Sequence, residues 1–283
     1  MNKVSSTNSH SLYDAKHIET FYDAYEKEWD RLNSTVAERV SFHVHRHYLE
    51  TFVKEGDMVL EAGAGPGRFT IELARLGARV VVGDISKRQL EQNEHHVQEA
   101  GCEGAVESRV QLDITDLRAF ESDGFDAVVC YGGALSYVLE RADDAVAELL
   151  RVVKPGGHVL LSVMSLLGTT RAAFEKITTL DAYPEVVNQV NGNGVLTSDL
   201  SHFPHKLYRF SELKTLFEKH PCCLAAASAA NYLSPGRDDF LEAHLQSPEL
   251  RQQFLAWELD YCAEEGAVDG GTHIIAVVQK DRI

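Results

Sequence analysis

Residues 59–70, VLEAGAGPGRFT, place Glu61 directly before Gly63, Gly65 and Gly67, with the small Ala64 among them. Glycines alternating with small residues let backbone N–H groups approach a ligand that any Cβ would push away. Glu61 falls at the end of an apolar run, and in an open parallel sheet the carboxyl ends of the strands face the ligand. A carboxylate there repels a phosphate and attracts an ammonium group. The dinucleotide fingerprint needs a third glycine three residues after the second, but Arg68 holds that place, so the spacing argues against NAD. Asp84 closes the next apolar run, at the distance from which a carboxylate accepts the hydroxyl protons of a ribose. Asp113 closes the run after that, so a third acid lies on the same edge.

The elements that must hold these residues alternate. Strands are expected over 57–61, 79–83, 106–111, 125–131 and 158–164. Helices are expected over 67–76, closed by Gly77, and from Ser86, with Gln89 as the other half of a capping box, to Gly101. Another is expected over 142–153, before a type II turn at Lys154, Pro155, Gly156 and Gly157. Such alternation makes an α/β fold, a parallel sheet with helices on both faces. Upstream, Ile18, Phe21, Tyr22, Tyr25 and Trp29 recur at helical spacing over 17–32, and Thr35 caps a second helix reaching Val53. Residues 1–11 read as a disordered lead. Strands at 224–230 and 273–280 follow, and the stretch between them is helical and too long for a hairpin loop.

With 283 residues, 44% of them hydrophobic, the chain can bury one substantial core. A net charge of −16 opposes phosphate backbones and anionic membranes and favours a small-molecule partner. Five cysteines, odd in number and without metal spacing, fit a reducing cytosol, and the polar first residues carry no apolar leader, so a cytoplasmic protein is expected. His43, His45 and His47 look metal-like, yet only His43 and His47 share a helix face and no acid or cysteine completes a set, so no metal is expected.

Four motifs in order carry a resemblance: E-A-G-A-G-P-G at 61–67, Asp84, D-I-T-D-L at 113–117 and L-L-R-V-V-K-P-G-G at 149–157. Together they resemble the class I S-adenosylmethionine-dependent methyltransferases, in particular the broad group acting on small molecules in ubiquinone biosynthesis and related pathways. The resemblance implies a Rossmann-like seven-stranded sheet, parallel with the last strand antiparallel, and N-terminal helices and helical insertions as a lid. It implies S-adenosylmethionine as cofactor and S-adenosylhomocysteine as product. Glu61, with the backbone of Gly63, Ala64, Gly65 and Gly67, would then hold the amino-acid end. Asp84 would clamp the ribose, Ile85 would pack on the adenine, Asp113 and Ile114 would bind its edge, and Cys130 and Tyr131 would border the methyl group. Three acids on one edge suit an amino group, a ribose and an adenine.

The acceptor site must come from outside the common core. The chain divides into a cap over 1–53, a cofactor-binding core over 54–164, a lid over 165–210 and a C-terminal part over 211–283 with a helical insertion at 236–266. Tyr13, Tyr22 and Tyr25 could fold over the cofactor, and His202, His205 and Tyr131 are the candidate acid–base groups. Arg171 could pair with an anionic acceptor, and the Asn191–Gly192–Asn193–Gly194 run suggests a mobile turn. After the fourth strand stands Cys130–Tyr131–Gly132–Gly133–Ala134, neither the Asn/Asp–Pro–Pro–aromatic motif of amino-methylating enzymes nor the Pro–Cys of cytosine C5 enzymes. The run 257–280 is similar to enzymes that esterify a carboxymethoxy group on the tRNA wobble uridine. Arg141, Arg151, Lys154, Arg171 and Lys176 could converge to bind such a polyanion. Methyl transfer to a small molecule is the leading reading, tRNA modification the second, and a non-catalytic cofactor-binding regulator the third. The oligomeric state stays open.

Overall fold

A computed structural model describes residues 11–282; the expected disordered lead, Ser11 apart, lies outside the described residues. Two helices, α1 (Ala15–Ala24) and α2 (Glu28–Arg31), precede the long α3 (Val36–Phe52). The core then runs β1 (Met58–Ala62), α4 (Arg68–Arg75), β2 (Arg79–Asp84), α5 (Lys87–Glu99), β3 (Val106–Gln111) and β4 (Phe125–Cys130). It continues through α6 (Ala134–Tyr137), α7 (Ala142–Val152) and β5 (Val153–Met164). Next come α8 (Leu166–Ile177), α9 (Tyr183–Asn193), the short β6 (Val195–Leu196) and β7 (His205–Lys206), and α10 (Phe210–Phe217). The chain closes with β8 (Cys222–Ala229), α11 (Asp238–His244), α12 (Pro248–Cys262) and β9 (His273–Lys280).

Seven strands form one sheet in the order β3-β2-β1-β4-β5-β9-β8. Every pair is parallel except those of β9, which runs antiparallel to both β5 and β8. The runs Val80–Val82, Val128–Val129 and Ile274–Val278 are buried throughout, as strands covered on both faces require. The strand order reverses at β1, which registers Val59 beside Val80 on one side and Ala127 on the other. A crevice therefore opens beyond the carboxyl ends of β1 and β4, the place where such sheets hold ligands.

Several local expectations change. The helix over 17–32 is two, because Tyr25 is extended (φ −91°, ψ 107°). Its end is capped from outside: the Gln89 side-chain amide donates to the carbonyls of Tyr22 and Tyr25, groups a helix end otherwise leaves unpaired. That use of Gln89 leaves the capping box half built. Ser86 Oγ accepts the Gln89 N–H at 3.1 Å, while the Ser86 N–H goes to Asp84. The proline–glycine turn sits inside β5 as a bulge: Phe125 faces Val153, Ala127 faces His158, and Gly156 takes φ +79°. Residues 191–194 form the end of a helix rather than a free-standing turn. α9 runs through Asn193, and Gly194 (φ +73°) ends it, its carbonyl accepting the Leu207 N–H at 2.7 Å.

Packing divides the stretch upstream of β1. Val40, Val44 and Leu49 of α3 share one apolar cluster with Val59, Leu73 and Val80, so α3 belongs to the layer covering the sheet. No helix among the described residues is long and apolar enough to cross a membrane. At the far side α8 docks on the 268–270 turn. Ser165 Oγ donates to the Asp269 carbonyl at 2.7 Å, and a Cβ on Gly168 would collide with the Gly271 carbonyl. Gly168→Ala should therefore destabilise the fold by about 1–3 kcal/mol, the usual cost of overpacking against backbone, read as a lower urea midpoint at unchanged slope.

Candidate functional site

The turn after β1 is shaped by backbone bonds to the neighbouring strand. The N–H groups of Gly63 and Ala64 both donate to the Gly83 carbonyl, at 2.8 and 3.0 Å, which folds the chain back over the end of β2. Gly63 takes φ +81°, and a Cβ there would stand 3.0 Å from the Ala134 side chain, so only glycine leaves the cradle open. Asp84 locks the turn. Its Oδ2 accepts the Gly65 N–H and its Oδ1 the Ser86 N–H, each at 2.8 Å. Burial pushes its pKa up to about 6, although both backbone donors pull the other way. At the end of β3, Asp113 accepts the Thr115 N–H (2.8 Å) on one oxygen and the Tyr13 hydroxyl (2.6 Å) on the other. Burial first, and Asp113 second, raise the Tyr13 pKa, so the phenol stays neutral.

A cleft enclosing about 860 Å³ of empty space, the solvent at its open mouth included, lies against this edge. The glycine turn contributes Gly63, Ala64 and Gly65, the end of β2 Asp84 and Ile85, and the end of β3 Asp113 and Ile114. Tyr131 enters from the end of β4, and Tyr13 and Tyr22 from the N-terminal segment. The Tyr22 and Tyr137 hydroxyls meet at 2.9 Å over it. The Tyr131 hydroxyl is buried without a partner, and burial holds it neutral.

Seven expected residues do not line the cleft. Glu61 is 3% exposed and turned away, its Oε2 accepting Thr70 Oγ1 at 2.6 Å, which in turn accepts from Asn93 Nδ2. Burial drives the Glu61 pKa up to about 8, against the Thr70 bond. Gly67 (φ +104°) starts α4 against Asn93 and Val97. Cys130 is a buried thiol whose pKa burial lifts to about 12. Tyr25 stacks on Phe21, with ring centres 5.3 Å apart, and His202 stacks on the same ring at 4.7 Å. His205 is buried with Nδ1 3.2 Å from the Phe203 carbonyl, and burial lowers its pKa. Phe203 lies edge-on to Tyr22 and Tyr137, so both histidines sit behind the aromatic side chains that roof the cleft. Arg171 clamps α8 instead, donating to the Gly270 carbonyl at 2.7 Å and the Tyr232 carbonyl at 3.2 Å.

Other residues escaped sequence reasoning. Glu28 and Arg31 both line the cleft, with Arg31 Nε donating to Glu28 Oε1 at 2.7 Å. Trp29 between them is sandwiched, with Arg68 3.8 Å over one face and His96 3.6 Å from its ring centre. Behind Tyr131, His45 Nδ1 lies 2.8 Å from the Ser41 carbonyl, so Nδ1 carries the proton and Nε2 stays bare and buried. Burial lowers the His45 pKa to about 4. The helical pattern over 17–32 exposed the aromatic face of this segment, but its charged members gave no signal of a partner.

Fold and cleft together define a Rossmann-like α/β protein with an acid-edged cleft at its strand ends. Residues 59–157 match the family model for a methyltransferase domain. Demethylmenaquinone methyltransferase from Clavibacter sepedonicus is 39% identical over 113 residues, 39% of this chain and 42% of that protein. The chain thus spans less than half the length of the first curated relatives it matches. Among solved structures, the [4+2]-cyclase SpnF has a TM-score of 0.63 at 15% identity, covering 95% of this chain and 97% of that one. The 1,6-didemethyltoxoflavin-N1-methyltransferase of Burkholderia thailandensis, solved with 1,6-didemethyltoxoflavin and S-adenosylhomocysteine, has a TM-score of 0.59 at 16% identity, covering 98% and 93%. Residues 59–157 are therefore a methyltransferase domain of class I type, embedded in the seven-stranded sheet of that class.

The buried Glu61 sets a pH dependence of stability. Its carboxyl holds a proton more tightly when folded (about 8) than at its ordinary 4.5. The native state thus binds more protons than the unfolded state across that window, and its stability falls as pH rises through it. Glu61→Gln keeps an acceptor for Thr70 and removes the titration. The ligand-free variant should gain stability relative to the parent between pH 5 and pH 8 in urea titrations; a constant difference would mean that Glu61 stays ionised.

Proposed function

We propose that the protein moves a methyl group from S-adenosylmethionine to a small-molecule acceptor by in-line displacement at the sulfonium carbon. The observation that carries this reading is the row formed by the glycine turn, Asp84 and Asp113 at the ends of three neighbouring strands, all lining one cleft. Asp84 keeps lone pairs for ribose hydroxyls while fixing the Gly65 backbone, and Asp113 faces the adenine position with Tyr13 closing over it. When bound, the cofactor supplies an electrophilic methyl group, and the chemistry asks little of side chains beyond alignment within about 3 Å and exclusion of water. Ile85, Ile114 and Tyr131 give the cleft its apolar walls, and Tyr22 and Tyr137 close its roof. The quinone-pathway relative supports a small aromatic acceptor, which fits a roof of that kind.

A polyanionic acceptor has less support. Of the five basic residues that could have converged, Arg141 pairs with Asp144, Arg151 with Glu148 and Lys154 with Asp126, while Arg171 is spent on carbonyls. Three of the five charges are therefore already offset, and the chain keeps its excess of acids.

The test is methyl transfer from labelled S-adenosylmethionine. Label should appear in an extracted metabolite pool; label in total tRNA would replace the small-molecule reading, and tight cofactor binding without transfer to either would leave a regulator. Asp84→Ala should weaken cofactor binding by about 1.5–3 kcal/mol, the loss of hydrogen bonds to a charged group, measured by calorimetry. Unchanged affinity would remove Asp84 from the site.

A further inference from the structure

With Glu61 turned to Thr70, β1 presents no carboxylate to the glycine turn. Besides Asp84, whose carboxylate binds the Gly65 N–H, a second acid approaches the turn from α2: a Cβ on Gly65 would lie 3.8 Å from Glu28 Cγ. Arg31 completes the group. Its Nε is bound to Glu28 and its Nη1 lies 3.7 Å from Glu38, while Nη2 stands 3.6 Å from where a Gly132 Cβ would be. One ion pair thus spans the cleft from the glycines after β1 to the glycines after β4. Both side chains keep part of their surface open, 28% for Arg31 and 16% for Glu28.

On the reading that the cleft holds S-adenosylmethionine, we propose that Glu28 and Arg31 read the cofactor's amino-acid end. Glu28 accepts from the ammonium group and Arg31 Nη2 donates to the carboxylate. An α-amino acid presents opposite charges side by side, and a pre-formed pair of the reverse order complements it. Burial alone would lower the Arg31 pKa, but Glu28 and Glu38 outweigh it, and the guanidinium stays charged. The 28–31 turn is braced from outside, since Trp29 lies between Arg68 and His96, and Arg68 Nε donates to the Trp29 carbonyl at 2.9 Å. The ligand is therefore required to carry an adenosine part, met by Asp84 and Asp113, and an α-amino-acid part, met by a segment distant in sequence.

Two probes separate these parts. S-adenosylhomocysteine carries both, whereas 5′-methylthioadenosine lacks the amino acid. Calorimetry on the parent, Glu28→Gln, Arg31→Met and Arg31→Lys should show S-adenosylhomocysteine binding weakened on the order of 10- to 100-fold in the Gln and Met variants and less in the Lys variant. Methylthioadenosine affinity should stay within about twofold of the parent in all of them, which also reports that the cleft is folded. Unchanged S-adenosylhomocysteine affinity would overturn the assignment, and so would an equal loss for both probes, which would make the pair a scaffold of the whole cleft. If the parent bound neither probe, the cofactor reading itself would fall, a result distinct from either of those.

Discussion

The Gly65 N–H bonded to the Asp84 carboxylate joins the turn after β1 to the end of β2, and the ligand edge depends on it. Without that bond the turn would be tied to β2 only through Gly63 and Ala64, and Gly65 would lose its anchor. With it, and with Gly83 accepting two N–H groups from the same turn, the backbone is fixed from two sides. The cost is a buried carboxylate whose pKa has risen to about 6. That energetic tension leaves Asp84 ready to gain further donors, and ribose hydroxyls are donors of that kind. Arg68, where the third glycine of a dinucleotide site would stand, is meanwhile free to lie over Trp29.

What was legible in the sequence was local. Gly77, Gly101 and Gly156 stop or turn the chain because their positive φ is a property of the residue, and Thr35 caps α3 through its own side chain. Asp84 was placed by its position at the end of β2, a strand that is buried on both faces and so reads as an apolar run, and Asp113 by its place just beyond β3, an edge strand partly open to solvent. The parallel core followed from the same alternation, while the antiparallel β9 was expected only from the family resemblance.

What was not legible depended on groups far apart in the chain. Glu61 reads as a ligand acid until Thr70 and Asn93 are folded beside it. α1 ends where Gln89 of α5 takes its carbonyls, an event invisible in the helical period of 17–32. His202 and His205 had the right residue type and loop context, but Phe21 and Phe203 place them behind the roof. Conversely, Glu28 and Arg31 look like an ordinary surface pair at i and i+3 until Gly65 and Gly132 come within reach. Spacing reports which backbone a residue sits on; it does not report what the side chain turns to.

The position of β9 carries a consequence for how the chain is made. β9 is paired on both edges, between β5 and β8, yet it follows β8 in sequence by two helices. During synthesis β8 emerges with no strand to join, and β5 waits with an open edge. Both stay uncovered until the 273–280 segment leaves the ribosome and inserts between them. Completing the sheet is a late, non-local step, slow by the entropy of closing long loops. For that interval, between the emergence of β8 and that of β9, the nascent chain exposes unpaired backbone that other chains can recruit.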